Sequence, residues 1–308
     1  MPAGTANARP FRFVLGIVCL ALLAAACLPA CQRGASPGAA TGDDGAPAPA
    51  SRPADAVLVL RDRLLTRDGA GFARVAVPPA LYARLQDGWA HGTTRWPLDE
   101  LPLDAHIPRM LAALQAPQAD KALMATFRRQ FANADADIDQ AVRALMVFGG
   151  EYVQQAPEYS PDARDHIAQA IAAIGGWALA APLSDPARAQ RFFATLSAAA
   201  IRSGLDGKHA DADFARLGMT QSLNRLSPFF ATLLAQLRQQ YGLDLDAALR
   251  SARVTLLQQT GDTALLRLQY VLAGQPVDAR LPVVRIDGHW YLADYVRRAE
   301  QSLHPGAH

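Results

Sequence analysis

The sequence predicts an α+β protein, with a mainly helical body, a C-terminal antiparallel β-meander of three or four strands, and a closing helix. Three observations support this prediction. Apolar residues recur three or four positions apart through most of residues 54–250, which is helical spacing. From residue 251 they alternate with polar residues, as in half-buried strands. Hydrophobic residues make up 51% of the chain and charged residues 19%, a balance typical of a protein with a sizeable core.

The helical body begins at Ala54, and Asp68-Gly69 ends its first segment. Ser160-Pro161 and Asp185-Pro186 are strong helix starts, because each puts an oxygen-bearing cap before a proline in the first turn. Gly242 is suited to cap a helix at its C-terminal end. The helices predicted after residue 105 are 106–115, 118–132, 137–155, 161–180, 185–203, 211–217 and 220–241.

The pattern of the last fifty residues predicts β-hairpins. Asp-Gly and similar pairs separate four alternating segments, and such pairs favour tight turns between antiparallel strands. The predicted strands are Val254–Thr260, Ala264–Val271, Val277–Ile286 and His289–Leu292, and a helix over about 295–303 closes the chain. One face of this sheet is predicted to be dry and to cover helices, with Ala264, Leu266, Leu268, Tyr270, Val277, Ala279, Leu281 and Val283. The wet face carries Arg267, Gln269, Asp278 and Arg280.

The N-terminal segment has the pattern of an export signal. Residues 1–12 are polar and contain Arg9 and Arg12, and Phe13–Ala26 is an uninterrupted apolar run. A membrane span needs about 20 apolar residues, so this run suits a signal better than a permanent anchor. Arg9 and Arg12 account for two of the 30 basic residues, so 28 basic residues balance 28 acidic ones after the signal. A neutral mature chain has no electrostatic attraction for nucleic acid.

The end of this segment resembles a bacterial lipoprotein signal peptide, in which a lipobox cysteine is lipidated. Cys31 follows Leu28-Pro29-Ala30, which has leucine and alanine at the expected positions but an unusual proline. Cys27 follows Ala24-Ala25-Ala26 and is the alternative. Cys31 is favoured because a polar linker follows it and because this choice leaves no free thiol in an oxidising compartment. The other interpretations are a cleaved signal with incidental cysteines and an uncleaved short anchor.

The chain therefore divides into a signal and lipidation site at 1–31, a flexible linker at 32–53, a helical body at 54–250, and a sheet with terminal helix at 251–303. The linker is rich in Gly, Ala and Pro and has no large apolar residue, so it cannot bury enough surface to become ordered. The last two regions are compatible with a single domain.

Residues 253–294 resemble the closing hairpins of NTF2-like envelope lipoproteins. Gly261-Asp262-Thr263-Ala264 matches at the first turn, and Val283–Tyr291 matches at the last. The helix from Ala54 would correspond to the first helix of that fold, although the helical stretch from 105 to 250 is longer than its usual middle. The resemblance implies a fold element and no particular activity, since NTF2-like domains serve as enzymes, ligand-binding proteins and assembly modules.

Three groups of polar residues could carry chemistry, and each has a simpler interpretation. His209, among Asp206, Asp211 and Asp213, is more simply part of a polar loop with Asp211 or Asp213 as a helix cap. The run 135–139 begins like a calcium loop but lacks the required glycine and glutamate, so a helix N-terminus is favoured.

His166 with Asp162 spans one helical turn, and a surface pair is favoured over an acid–base dyad. His91 and His106 have no partner nearby in the sequence. Most aromatic residues of the helical part are expected in the core, although Tyr152, Tyr159 and Trp177 could line a groove. The sequence contains no familiar nucleophile, zinc or phosphate-loop motif. We therefore predict no catalytic residue, no metal and no cofactor.

The leading functional hypothesis is a lipid-anchored, non-enzymatic binding or assembly module facing the periplasm, on either the inner or the outer membrane. Its partners would be the bilayer, through its acyl chains, and another envelope protein or cell-wall component. One alternative is a small-ligand-binding protein or hydrolase with a pocket between helices and sheet. Another is an inhibitor or immunity-type lipoprotein.

Overall fold

A computed structural model of the chain describes residues 50–101, 106–157 and 159–304. The signal segment, Cys27 and Cys31 lie outside these residues. The α+β architecture predicted from the sequence is confirmed. The α-helices are α1 Asp55–Leu65, α2 Gly69–Ala76, α3 Pro79–His91, α4 Ile107–Gln115, α5 Ala119–Gln130, α6 Asp135–Gln155, α7 Pro161–Ala180, α8 Pro186–Arg202, α9 Ala210–Tyr241, α10 Leu245–Ser251 and α11 Ala293–Ser302. A 3₁₀ turn covers Leu98–Glu100.

The helix ends follow the capping residues in the sequence. The Ser160 hydroxyl accepts a hydrogen bond from the Ala163 amide at 3.2 Å at the start of α7. The Asp185 carboxylate accepts bonds from the amides of Ala187 and Arg188 at the start of α8. Each cap satisfies backbone donors that the helix itself leaves unpaired. Gly242 adopts φ 76° after α9, the left-handed conformation of a C-terminal cap.

Helix α2 was not predicted, because the sequence analysis used Asp68-Gly69 only as the end of a segment, whereas Asp68 caps a helix that begins at Gly69. The break predicted between helices 211–217 and 220–241 is borne out within α9, where Gly218 adopts φ 72° and ψ 172°, a non-helical conformation that only glycine adopts readily. Helix α10 was not predicted. It has seven residues, too few for a periodic pattern, and the Asp244 carboxylate caps it by accepting from the Ala247 amide at 2.9 Å.

The sheet is a meander in the order β1-β2-β3-β4, with every neighbouring pair antiparallel. Alternation along the strands separates its faces as predicted, since Leu266 and Leu268 are buried whereas Arg267 and Gln269 project on the opposite side. Helix α7 packs across β3 on the dry face. The strands are β1 Arg253–Thr260, β2 Thr263–Leu272, β3 Gln275–Ile286 and β4 His289–Leu292.

The structure describes the last four residues of the predicted linker, 50–53. Ala50 is 3% exposed, and its carbonyl accepts a hydrogen bond from the Trp290 amide of β4 at 2.9 Å. The chain is therefore attached to the edge of the sheet before α1 begins. Within the described ranges, no helix combines the length and the apolar character needed to cross a bilayer.

Candidate functional site

An apolar cavity of about 200 Å³ opens among the helices. Its longest wall is one face of α9, whose residues point into the cavity at intervals of three and four positions, the spacing of a helical stripe. A stretch of 14 residues in a helix is about 21 Å long, so the cavity is an elongated groove. The residues of this wall are Leu223, Leu226, Ser227, Phe230, Leu233, Leu234 and Leu237.

The opposite wall comes from distant parts of the chain. Phe72 of α2 and Tyr295 of α11 meet edge to face, with ring centroids 6.1 Å apart. The 3₁₀ turn supplies Leu98, and α10 contributes Leu245 and Leu249. These side chains are held in place by the core that they share with α9. None of the described residues of the lining belongs to a strand, so the cavity lies within the helical body and not between helices and sheet, where the sequence analysis had placed a possible pocket.

The two arginines that line the cavity are both in ion pairs. Arg67 donates to both carboxylate oxygens of Asp246 at 2.7 and 2.6 Å, and this pair joins the end of α1 to α10. Arg63 contacts Asp68 at 3.0 Å. Because these cations already have anionic partners, they do not give the cavity a strong charge.

Glu100 is the acidic residue of the lining, and it pairs with Arg298 of α11 at 2.7 Å. Burial raises the pKa of Glu100, and this effect outweighs the opposing attraction of Arg298. The Arg298 guanidinium also lies 5.1 Å from the ring centroid of Tyr295 and 5.9 Å from that of Tyr159. This pair therefore joins the 3₁₀ turn to α11 beside the cavity.

The arrangement is suited to binding and not to nucleophilic chemistry. Ser227 is the one serine among the described residues of the lining. Its hydroxyl donates a hydrogen bond to the Leu223 carbonyl at 2.8 Å and accepts one from the Gly69 amide at 3.4 Å. The lining residues in the described part of the chain include no histidine or cysteine. A hydroxyl occupied by the backbone and without a neighbouring base is not activated for attack.

The structure places His209 in an exposed loop before α9, where its Nδ1 lies 2.8 Å from Asp206. The Asp206 carboxylate also accepts from the Lys208 amide, and the Asp213 carboxylate accepts from the Asp206 amide. The cap prediction is wrong in detail, because Asp211 and Asp213 lie inside the first turn while His209 is the residue before it. Nowhere in the described ranges do three or more His, Cys, Asp or Glu side chains gather as a metal site would require.

The run 135–139 begins α6, with Asp135 and Asp137 in the first turn, in agreement with the helix N-terminus that the sequence analysis favoured. The Ser184 hydroxyl donates to the Asp135 carboxylate at 2.5 Å, which attaches this helix end to the segment before α8. The arrangement is structural.

The sequence analysis predicted that His166 and Asp162 form a pair on the surface, and this is wrong for His166, which is buried. His166 is 4% exposed, and its Nε2 lies 2.8 Å from the Tyr270 hydroxyl of β2. Burial lowers the pKa of His166 to about 4, so the ring is neutral at physiological pH. No local pattern indicates this contact, because its two residues are 104 positions apart in the chain. His91 and His106 are not among the lining residues of the cavity.

The groove that Tyr152, Tyr159 and Trp177 could have lined, the less favoured interpretation in the sequence analysis, is not formed by Tyr152 and Trp177. Trp177 is buried, and its indole N–H donates to the Tyr241 carbonyl at 2.8 Å, whereas Tyr152 is 65% exposed on α6. Phe148, expected in the core, is also exposed, at 68%. Helix α6 packs mainly on α7, so its outer face is open to solvent.

The sequence analysis assigned no binding role to any residue of the cavity. The stripe of α9 was visible as helical spacing, but a core helix shows the same spacing. Comparison of the chain with protein-family models, with curated proteins and with solved structures found no match. The resemblance of residues 253–294 to NTF2-like domains stays a prediction.

Proposed function

We propose that this chain is an exported protein, anchored to the membrane by lipid on Cys31 or Cys27 and facing the periplasm, that binds the apolar chain of a lipid without transforming it. The observation that carries the proposal is the elongated cavity along α9. Binding sites for small molecules are mostly concave and apolar, with a few polar groups. This cavity has that character, and its charged margins are already paired.

The length of the groove favours a lipid chain over a compact ligand. Half of the hydrocarbon core of a bilayer is about 15 Å deep, the reach of one acyl chain. The stripe from Leu223 to Leu237 is long enough to lie along such a chain from end to end. Each methylene group that the cavity removes from water contributes about 0.8 kcal/mol, so the apolar lining by itself favours the binding of a lipid chain.

The site favours a binding protein over a hydrolase among the alternatives in the sequence analysis. Hydrolysis needs a nucleophile or an activated water beside an acid–base group. In the described lining, the serine is engaged by backbone groups and the acidic residue is paired with Arg298. An inhibitor or immunity-type role stays a prediction.

The test is the binding of fluorescent palmitic acid to residues 32–308, produced without the lipidated cysteine so that detergent is not needed. We expect saturable binding with one site per chain. The substitution Leu234→Trp should fill the groove and weaken binding at least tenfold, about 1.4 kcal/mol. Ile201→Trp is the matched control, since Ile201 is 61% exposed on α8 and does not line the cavity. Unsaturable binding, or equal affinity in both variants, would refute the proposal.

The anchor has its own test. The intact mass of the full chain extracted from membranes should exceed that of the processed polypeptide by the mass of its acyl groups. The variants Cys31→Ser and Cys27→Ser identify which cysteine carries them. An unmodified N-terminus would remove the lipid anchor from the proposal and leave the cavity unaffected.

A further inference from the structure

The wet face of the sheet is a broad surface open to solvent. Helix α7 packs on the opposite, dry face of β3. Along β1, β2 and β3 the side chains of the wet face are mostly exposed. This face therefore extends across three strands, and the outer two of these lie about 10 Å apart.

Three arginines are grouped on this face and form the arginine cluster. Arg267 of β2 lies directly opposite Arg280 of β3. Arg253 of β1 lies opposite Gln269, which is two positions from Arg267 on the same face. Direct and diagonal neighbours of this kind in a sheet are about 5–8 Å apart. On the wet face of these three strands the one acidic residue is Asp278, opposite Gln269.

The arginine cluster is only partly neutralised. Arg267 donates to the Asp278 carboxylate at 3.0 Å, and the two side chains form an ion pair. Arg253 and Arg280 are exposed, and neither forms an ion pair with a carboxylate of the described ranges. Like charges directly opposite each other destabilise a sheet, so folding alone does not explain why Arg280 faces Arg267. The face thus keeps two uncompensated positive charges, which favour a negatively charged partner.

Apolar side chains lie on both sides of the arginine cluster. Val271 is 47% exposed, follows Gln269 on the wet face, and lies opposite Pro276. Beyond the cluster in the other direction, Leu265 lies opposite Pro282. Arginines among accessible apolar side chains suit the boundary region of a bilayer, where guanidinium groups meet lipid phosphates and apolar groups reach the acyl chains. The composition of this face therefore favours a lipid surface over a purely polar polyanion.

The point where the chain enters the fold also favours a bilayer. The Ala50 carbonyl is held by the Trp290 amide of β4, the strand next to β3. Residues 32–49 separate Ala50 from Cys31, and even a fully extended chain of this length spans at most about 60 Å. A lipid on that cysteine would keep the sheet close to the bilayer, where a modest attraction is effective because the second contact is intramolecular.

We infer that the wet face of the sheet docks on an anionic bilayer surface, with the arginine cluster at the lipid phosphates and Val271 at the edge of the hydrocarbon. Charge, accessible apolar side chains and the attachment of the N-terminal segment all lie on the same sheet. This inference rests on the membrane location in the proposed function, but not on the ligand of the α9 cavity.

The test is sedimentation of residues 32–308, without the lipid, with vesicles of either phosphatidylglycerol or phosphatidylcholine. This segment contains every described residue and their common core. We expect binding to the phosphatidylglycerol vesicles that weakens with added salt, because salt screens exposed charges. Each arginine near an anionic bilayer strengthens binding about fivefold, so Arg253→Gln/Arg280→Gln should weaken it at least tenfold. Arg267 is left unchanged because it pairs with Asp278.

The matched control is Arg84→Gln/Arg202→Gln, which makes the same change in net charge at exposed arginines of α3 and α8. A second variant, Thr255→Lys, adds a cation opposite Arg267 and should strengthen binding about fivefold, an increase that loss of folding does not produce. Equal binding to both kinds of vesicle, an equal loss in the control, or release of the protein by soluble glycerol phosphate at constant ionic strength would overturn the inference.

This assay and the intact-mass test of the anchor have separate outcomes, because the lipid is absent here. An acylated N-terminus without binding to phosphatidylglycerol vesicles would overturn the docking face and leave the anchor. Binding of the predicted kind with an unmodified N-terminus would support the docking face and remove the anchor.

Discussion

Replacement of Arg298 by methionine tests how the buried ion pair beside the cavity contributes to stability. The change keeps an unbranched apolar side chain but leaves the Glu100 carboxylate without its cation. The two side chains are only 21% and 15% exposed, so water compensates little for the loss. Removal of one partner of a buried pair typically destabilises a protein by 3–5 kcal/mol, and the partial exposure here favours about 3 kcal/mol at pH 8.

The effect should depend on pH in a known direction. Burial already raises the pKa of Glu100 in the unchanged protein, and removal of Arg298 takes away the main attraction that opposes this rise. A carboxyl whose pKa is higher in the folded state binds its proton more tightly there, so stability falls as the pH rises through that pKa. At pH 5 a larger share of Glu100 is protonated in the variant, and the loss should shrink towards the value of one neutral hydrogen bond, about 1 kcal/mol.

Urea unfolding at pH 5 and pH 8, followed by tryptophan fluorescence, measures both quantities, because Trp89 and Trp96 are fully buried in the folded protein. Arg285→Met is the matched control. Arg285 also pairs with a carboxylate, that of Asp262 at 2.6 Å, but the two side chains are 45% and 65% exposed. An exposed pair is worth at most about 1 kcal/mol. The reasoning fails if Arg298→Met loses no more than this control at pH 8, or if its loss is the same at both pH values.

Two further predictions concern buried contacts. Because His166 beside Tyr270 is neutral in the folded protein, the free energy of unfolding should decrease as the pH falls from about 6.5 towards 4, where the unfolded chain binds a proton that the folded chain does not. The variant His166→Gln should show a smaller decrease over this pH range. An unchanged dependence on pH in the variant would contradict the prediction. Gly207→Ala should destabilise by about 1–3 kcal/mol, since its Cβ would overlap the backbone of Ala112. At Gly176, inside α7, a Cβ would have no atom within 4 Å, so Gly176→Ala should stabilise the protein by about 0.5–1 kcal/mol. Equal shifts of the melting temperature in the two variants would refute the contrast between these glycines.

The sequence by itself determined the elements whose causes are local. Ser160 and Asp185 start α7 and α8 because a side-chain oxygen satisfies amides two or three residues away. Asp287-Gly288 makes the last turn because both residues accept positive φ values, 50° and 82°. Apolar and polar residues alternate along β2, and this alternation predicts its two faces correctly because the two-residue period of a strand is a property of the backbone.

Only the tertiary structure decided which surfaces are covered. His166 has the spacing of an exposed pair with Asp162, yet Tyr270 covers it from a strand far along the chain. Phe148 looks like a core residue, but the described elements leave its side chain 68% exposed on α6. Burial depends on what arrives from a distance, and no local pattern records it.

The same reason explains the cavity and the open edge. The apolar stripe of α9 would be a core stripe if α1, α10 and the 3₁₀ turn met it closely; these elements instead leave a groove along it. The β-bulge in β1, the strand at the open edge of the sheet, arises where its pairing with β2 shifts between Leu256 and Gln258, and register is set by two strands together. Helix starts, turns and strand alternation could thus be predicted from short-range chemistry, while the sites follow from contacts between segments that are far apart in the chain.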